Sequence, residues 1–340
     1  MVRRLDFVDG VRWVARVRLP PEATFVPLER YDSARAFEIE VASMKFFKSK
    51  STIPVPEVFV YDHNPCNHVG APYMLIEYIH GTTASRLSEF RSTTYPLLYG
   101  TPEQDQKFLR QMAKIQAEVL TFQFHKIGSL YYDKDKDDFY IGPEIETGKG
   151  PWTSSVDYYR DLAGVSMKQG AARCYRDPEK EKYFCAPLLL SHLMSIHTKD
   201  NKGPYNLINR DFGPHNILVD NEFNIVGVID FDGVIAAPPE AVAQYPRFCG
   251  LDVEAPGIVA TRPAVIKRIE YMKPKLAEYR NFLMEYEAAL SDGNATISSL
   301  LGSRGAIIHS GFDDLGAAIA PDYETWFTSA LSMLREYCKE

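Results

Sequence analysis

The hydrophobic residues of the first third alternate, then wind, then alternate again. Residues 2–8 predict a strand, and Asp9-Gly10 a hairpin turn. The run WVARVRL, residues 13–19, alternates apolar and basic positions as a half-buried strand does, and Pro20-Pro21 ends it. Over residues 34–50 the apolar positions Phe37, Val41, Met44 and Phe47 recur at helical steps, so one helix face is apolar. Ile53-Pro54-Val55-Pro56 breaks that helix. Residues 58–61 and 73–78 predict two more strands, separated by a polar loop over 62–70.

After Gly81 the pattern turns helical. Residues 106–124 carry Leu109, Met112, Ala113, Gln116, Val119 and Leu120 near one face. Residues 155–167 and 183–197 predict further helices, and 206–232 switches to short strands and tight turns. From residue 263 onward the pattern is mostly helical, with an amphipathic closing helix over 324–339. The expected fold class is therefore α+β and two-lobed. A small β-rich lobe, residues 1–78, precedes a larger helical lobe, residues 79–340, with a strand–turn–strand insert and a cleft between the two.

Composition narrows the function. The chain has 340 residues, 45% hydrophobic and 12% aromatic, which is enough to bury a core and fits two lobes. A formal net charge of −7 lacks the basic footprint of a nucleic-acid binder. The five cysteines are an odd, widely spaced set with no CxxC, as expected for free thiols in a reducing compartment. No apolar run approaches the ~20 residues of a membrane span, and the charged start does not open a signal peptide. These features predict a cytoplasmic protein with neither membrane nor nucleic acid as a partner. Oligomeric state is not legible.

The chemistry concentrates in NRDFGPHNILVD, residues 209–220, followed by NIVGVIDFD, residues 224–232. Asp211 and Asn216 flank a Gly213-Pro214 turn, so both can point into one site. An apolar strand leaves Asn216, a turn reverses it, and a second apolar strand delivers Asp230 back beside Asn216. Two carboxylates and an amide oxygen suit Mg²⁺, a hard cation with oxygen ligands. Phosphoryl transfer needs such a cation, and a carboxylate to orient and deprotonate the attacking hydroxyl. Asp-x₄-Asn followed by an apolar hairpin ending in Asp has the spacing of a kinase catalytic loop.

These segments, with FFKSKSTIPVPEVFVY (46–61) and PYMLIEYIHG (72–81), resemble the aminoglycoside phosphotransferase and choline kinase-like family, most of all its fungal members. The resemblance covers roughly residues 6–250. It implies a protein-kinase-like fold, ATP and Mg²⁺ as cofactors, and a hydroxylated small molecule as acceptor. It also implies Asp211 as catalytic base, Asn216 and Asp230 as metal ligands, and Asp232 as a weaker metal candidate. Glu40 matches the helix glutamate, Arg16 stands at the phosphate-binding Lys, and Glu77 and Ile79 belong to the adenine-binding hinge.

Three departures keep a second reading open. The motif opens with Asn209 where the family has His, and Arg16 replaces Lys, with Arg18 as rival clamp on the same strand face. The family's first strand and glycine turn have no counterpart ahead of Arg16. The alternative is a pseudokinase-type module that binds nucleotide or protein without catalysis. Among other features, His215 is expected to pack or hydrogen-bond locally, and DKDKDD (133–138) to form a solvated loop. Tyr131, Tyr132 and Trp152 fit either core or substrate wall.

Overall fold

The computed structural model describes residues 1–18, 33–91, 98–174, 186–198, 202–231, 233–246, 263–291, 296–317 and 335. Near the N-terminus, β1 (Val2–Asp6) and β2 (Arg12–Val17) form an antiparallel hairpin. Gly10 takes a φ of 85° at its turn, a conformation glycine adopts without steric cost. The sheet is completed by β3 (Val58–Asp62) and β4 (Tyr73–Glu77) in the order β1-β2-β4-β3. Helix α1 (Ser33–Lys50) buries Phe37, Val41, Met44 and Phe47, the face its periodicity predicts. The inward strand residues Met74 and Ile76 join the same core.

The rest of the chain is built on α3 (Pro102–Leu120), which follows the short β5 (Thr82–Thr83) and α2 (Ala84–Arg91). Thr101 caps α3 in a reciprocal capping box with Gln104, satisfying two orphan donors of the first turn. The expected helix over 106–124 stops early. Thr121 caps it, and Gln123–Phe124 is a strand, β6, paired with β9 (Tyr205–Asn209). The side chain of Asn206 donates to Leu120 O at 2.6 Å and holds the helix end against that strand.

Strand content here exceeds the expected single insert. β7 (Gly128–Asp133), β8 (Asp138–Gly142) and β12 (Val234–Ala237) join β6 and β9 in a five-stranded sheet ordered β6-β9-β12-β7-β8. The charged run between β7 and β8 is an exposed hairpin tip, as expected of a solvated loop. Tyr131 and Trp152 are buried. Burial pushes the Tyr131 phenol up to about 12, so it stays a neutral donor to Pro143 O at 2.9 Å. A second sheet, β11-β10-β5, contains β10 (Ile217–Val219) and β11 (Ile225–Val228).

Helices α4 (Ser155–Cys174), α5 (Ala186–His197), α6 (Pro239–Val242), α7 (Pro263–Leu290), α8 (Thr296–Leu300) and α9 (Arg304–Ala317) pack around these sheets. α7 lies along α3 through the buried Lys275–Asp105 pair at 2.7 Å and the Tyr279 hydroxyl, which donates to Gln116 Oε1 at 2.6 Å. The expected closing helix over 324–339 lies outside the described residues, apart from residue 335.

Candidate active site

The loop that carries Asp211 and Asn216 starts where β9 ends. Asn209 is buried, and its amide works in two directions. Its Oδ1 accepts the backbone N–H of Asp211 at 3.1 Å, and its Nδ2 donates to the carbonyl of Asp230 at 3.0 Å. An amide that both donates and accepts can do the supporting work of an imidazole at this position. Backbone bonds Phe212 N to Asn209 O (3.2 Å) and Asn216 N to Gly213 O (2.9 Å) tighten the turn.

Asn216, also buried, donates through Nδ2 to both Asp211 O (3.1 Å) and Asp211 Oδ2 (2.8 Å). Its backbone carbonyl accepts Ile229 N at 3.0 Å, which brings the end of β11, and hence Asp230, alongside. Asp230 itself sits at a φ of 66°, a left-handed conformation uncommon for a residue with a Cβ. Such outliers cluster where surrounding structure holds a functional side chain in place. The structure thus gathers Asp211, Asn216 and Asp230 into one hydrogen-bonded unit. Asp232 lies outside the described residues.

The sheet supplies the cations. Arg16 on β2 places Nη1 3.1 Å from Glu40 Oε1, and its Nη2 donates to Asp230 Oδ1 at 2.9 Å. Arg18, two residues along the same face, donates to the other Glu40 oxygen at 3.3 Å. Glu40 on α1 is 1% exposed, so this carboxylate is desolvated and held by two guanidinium groups. The two arginines share one glutamate, and Arg16 also spans to the loop.

Glu77 closes β4 opposite Trp13, and its carboxylate accepts from Lys48 Nζ (3.2 Å) and Glu57 N (3.0 Å). Ile79 packs on Gly227 of β11, where an added Cβ would come within 2.9 Å of Ile79 Cδ1.

Two further contacts tie the loop down. His215 Nε2 lies 3.1 Å from Asp211 Oδ1, a local contact of the kind expected of His215, so the second Asp211 oxygen also has a neighbour. Arg210 reaches Glu144 and Glu146, each at 3.2 Å, and fastens the loop to the segment after β8. Nothing local in the sequence signalled the second contact. Below that segment, burial raises the Asp161 carboxyl, but bonds from Lys149 and Trp152 outweigh it and hold it below its ordinary value.

Among the described residues no group of three or more His, Cys, Asp or Glu side chains could hold a metal by itself. Mg²⁺ does not need one, since it is usually held by one or two protein oxygens plus substrate phosphates and water. Asn216 turns its Nδ2 to Asp211, which leaves its amide oxygen on the opposite side. That oxygen and the Asp230 carboxylate are oxygen donors of the type this ion takes.

A small antiparallel sheet crossed by one helix, set over a larger α+β body that presents Asp, Asn and Asp on a loop and hairpin, defines the two-lobed kinase-like class. The sequence model described as the phosphotransferase enzyme family, APH, matches residues 7–241. The chain belongs to that family. A subtelomeric hrmA-associated cluster protein of Aspergillus fumigatus is 26% identical over 281 residues, which cover 64% of this chain and 53% of the relative. The Altered inheritance of mitochondria protein 9 of Clavispora lusitaniae is 23% identical over 71% of this chain and 49% of its own length. The chain thus spans about half the length of these relatives. Among solved structures, aminoglycoside phosphotransferase APH(4)-Ia aligns at a TM-score of 0.47 and 15% identity, over 98% of this chain and 93% of that one. Macrolide 2'-phosphotransferase MphH from Brachybacterium faecium aligns at 0.45 and 15%, over 97% and 91%. No helix among the described residues is long and apolar enough to cross a membrane.

Proposed function

We propose that this chain is an ATP- and Mg²⁺-dependent phosphotransferase that moves the γ-phosphoryl group to a hydroxyl of a small molecule. The observation that carries the reading is the joining of Asp211, Asn216 and Asp230, with Arg16 tying Asp230 to Glu40. In this reading residues 1–78 bind the nucleotide, and the backbone around Glu77 and Ile79 meets the base.

Asp211 accepts the proton of the acceptor hydroxyl as its oxygen bonds to the γ-phosphorus and the bond to the β–γ bridging oxygen breaks, releasing ADP. Asn216 Nδ2 holds the Asp211 carboxylate in place through this step. Asn216 and Asp230 would hold Mg²⁺, which neutralises charge developing on the phosphate oxygens when bound. Arg16, steadied by Glu40, binds phosphate oxygens as a fork rather than as the point charge of a Lys.

The test is ADP release over a panel of hydroxylated metabolites, with Asp211→Asn as control. Acceptor-dependent turnover that disappears in the variant supports the reading, and equal turnover in both proteins refutes it. One observation favours the alternative, a nucleotide-binding module without catalysis: Arg16 engages Asp230, a residue that must also serve the cation. MgATP binding without turnover on any acceptor would select that reading.

A further inference from the structure

Behind the catalytic loop lies a cavity of about 150 Å³. Its wall takes in Asn209, Phe212 and Phe231, whereas Asp211, Asn216 and Asp230 are not among the described residues that line it. It is therefore separate from the phosphoryl-transfer centre, although its wall includes residues that carry that centre. Asn209 bonds the backbone of both aspartates, and Phe231 directly follows Asp230.

The rest of the lining decides what fits. Ile53, Ile115, Val119, Val228 and Ile307 make most of it a hydrocarbon surface. The Gln116 amide and the Gln244 Nε2 are spent on the protein. Gln116 Nε2 donates to Gln244 O at 2.9 Å and its Oε1 accepts from Tyr279, while Gln244 Nε2 donates to Glu240 O at 2.7 Å and Ala306 O at 3.1 Å. Arg210, on the wall, is paired with Glu144 and Glu146. His309 is 7% exposed, with Nδ1 3.5 Å from the Tyr159 hydroxyl, and Ser310 lines the pocket beside it. A charged occupant would lose its hydration against a mostly apolar wall whose Arg210 is already engaged by two glutamates. Mostly apolar pockets with a few placed polar groups suit small uncharged ring ligands.

We infer that this cavity binds a small uncharged aromatic molecule, of one or two fused rings with at most one hydrogen-bonding group. The site does not depend on the phosphotransferase reading. It reaches the catalytic loop through Asn209 and Phe231 rather than through the nucleotide.

Indole is the probe, titrated calorimetrically into the full chain with and without saturating MgATP. The expected result is saturable one-to-one binding that persists with the nucleotide present. Ala306→Leu, which projects extra volume into the cavity, is expected to weaken indole at least tenfold, as is Ile115→Phe should the first variant fail to fold. The inference is overturned by absence of saturable binding, as when the chain itself fills the space. Displacement by MgATP, or full affinity in a folded filler variant, also overturns it. A protein that ignores MgATP yet binds indole would defeat the phosphotransferase reading and uphold the pocket.

Discussion

The catalytic loop and the sheet that faces it hold their functional groups by different means. On the loop side, Asn209, Asp211, Asn216 and Asp230 all lie within one stretch of chain and are joined by amide-to-carbonyl and amide-to-carboxylate bonds. On the sheet side, Arg16, Arg18 and Glu40 come from a strand and a helix, and charge is what joins them. The loop is thus set by local geometry that survives small shifts of the lobes. The clamp is set by where β2 and α1 sit. Arg16 links the clamp to the loop through Asp230.

The largest effect should come from the loop. Asp211→Asn removes the proton acceptor while keeping its shape, and turnover is expected to fall about 10²–10⁴-fold, the usual worth of a general base. MgATP affinity, measured by calorimetry, should change little. Arg16→Ala reverses the profile, with MgATP binding about tenfold weaker, the loss of one charge-assisted contact to phosphate. Comparable effects of both variants on affinity would erase the distinction between loop and clamp.

Asn209→Leu leaves the Asp211 N–H and the Asp230 carbonyl without their partner, at a cost of about 2–3 kcal/mol by denaturant titration. Asn209→His should recover part of that loss. Full stability in the leucine variant would show that the amide bridge does not hold the loop.

A smaller effect lies at Glu240, away from both halves. Its side chain is 8% exposed, and Oε2 has no hydrogen-bond partner among the described residues. Burial raises its pKa above the ordinary carboxyl value, so the folded state prefers the protonated form. That preference favours folding at pH below the unfolded value and is lost as pH climbs through the folded value. Glu240→Gln should therefore raise the melting temperature at neutral pH by a few degrees and have less effect near pH 4. The same gain at both pH values would assign it to packing instead.

What was legible in the sequence follows the same division. The loop residues are close in sequence, and their turn signals and apolar strands made the coming together of Asp211, Asn216 and Asp230 legible. The α1 face and the β1–β2 hairpin were legible for the same reason, because period and turn chemistry are local. The sharing of Glu40 by two arginines, the Arg16–Asp230 contact and the Arg210–Glu144 pair were not, since each joins residues far apart in the chain. The five-stranded sheet was also missed. β9 and β12 are buried on both faces and show no alternation, and β6 is two residues long at the end of a helical pattern. The strand expected over 73–78 is β4, but the salt bridge of Glu77 to Lys48 depends on tertiary approach.

The central claim is that the loop and hairpin bind one magnesium–nucleotide between them. Calorimetric titration of ATP, with Mg²⁺ and then with EDTA, into the native chain and Asp230→Asn tests it directly. The account predicts Mg²⁺-dependent binding by the native chain, at least tenfold weaker in the variant. Binding indifferent to Mg²⁺, or unchanged when Asp230 is replaced, would contradict it.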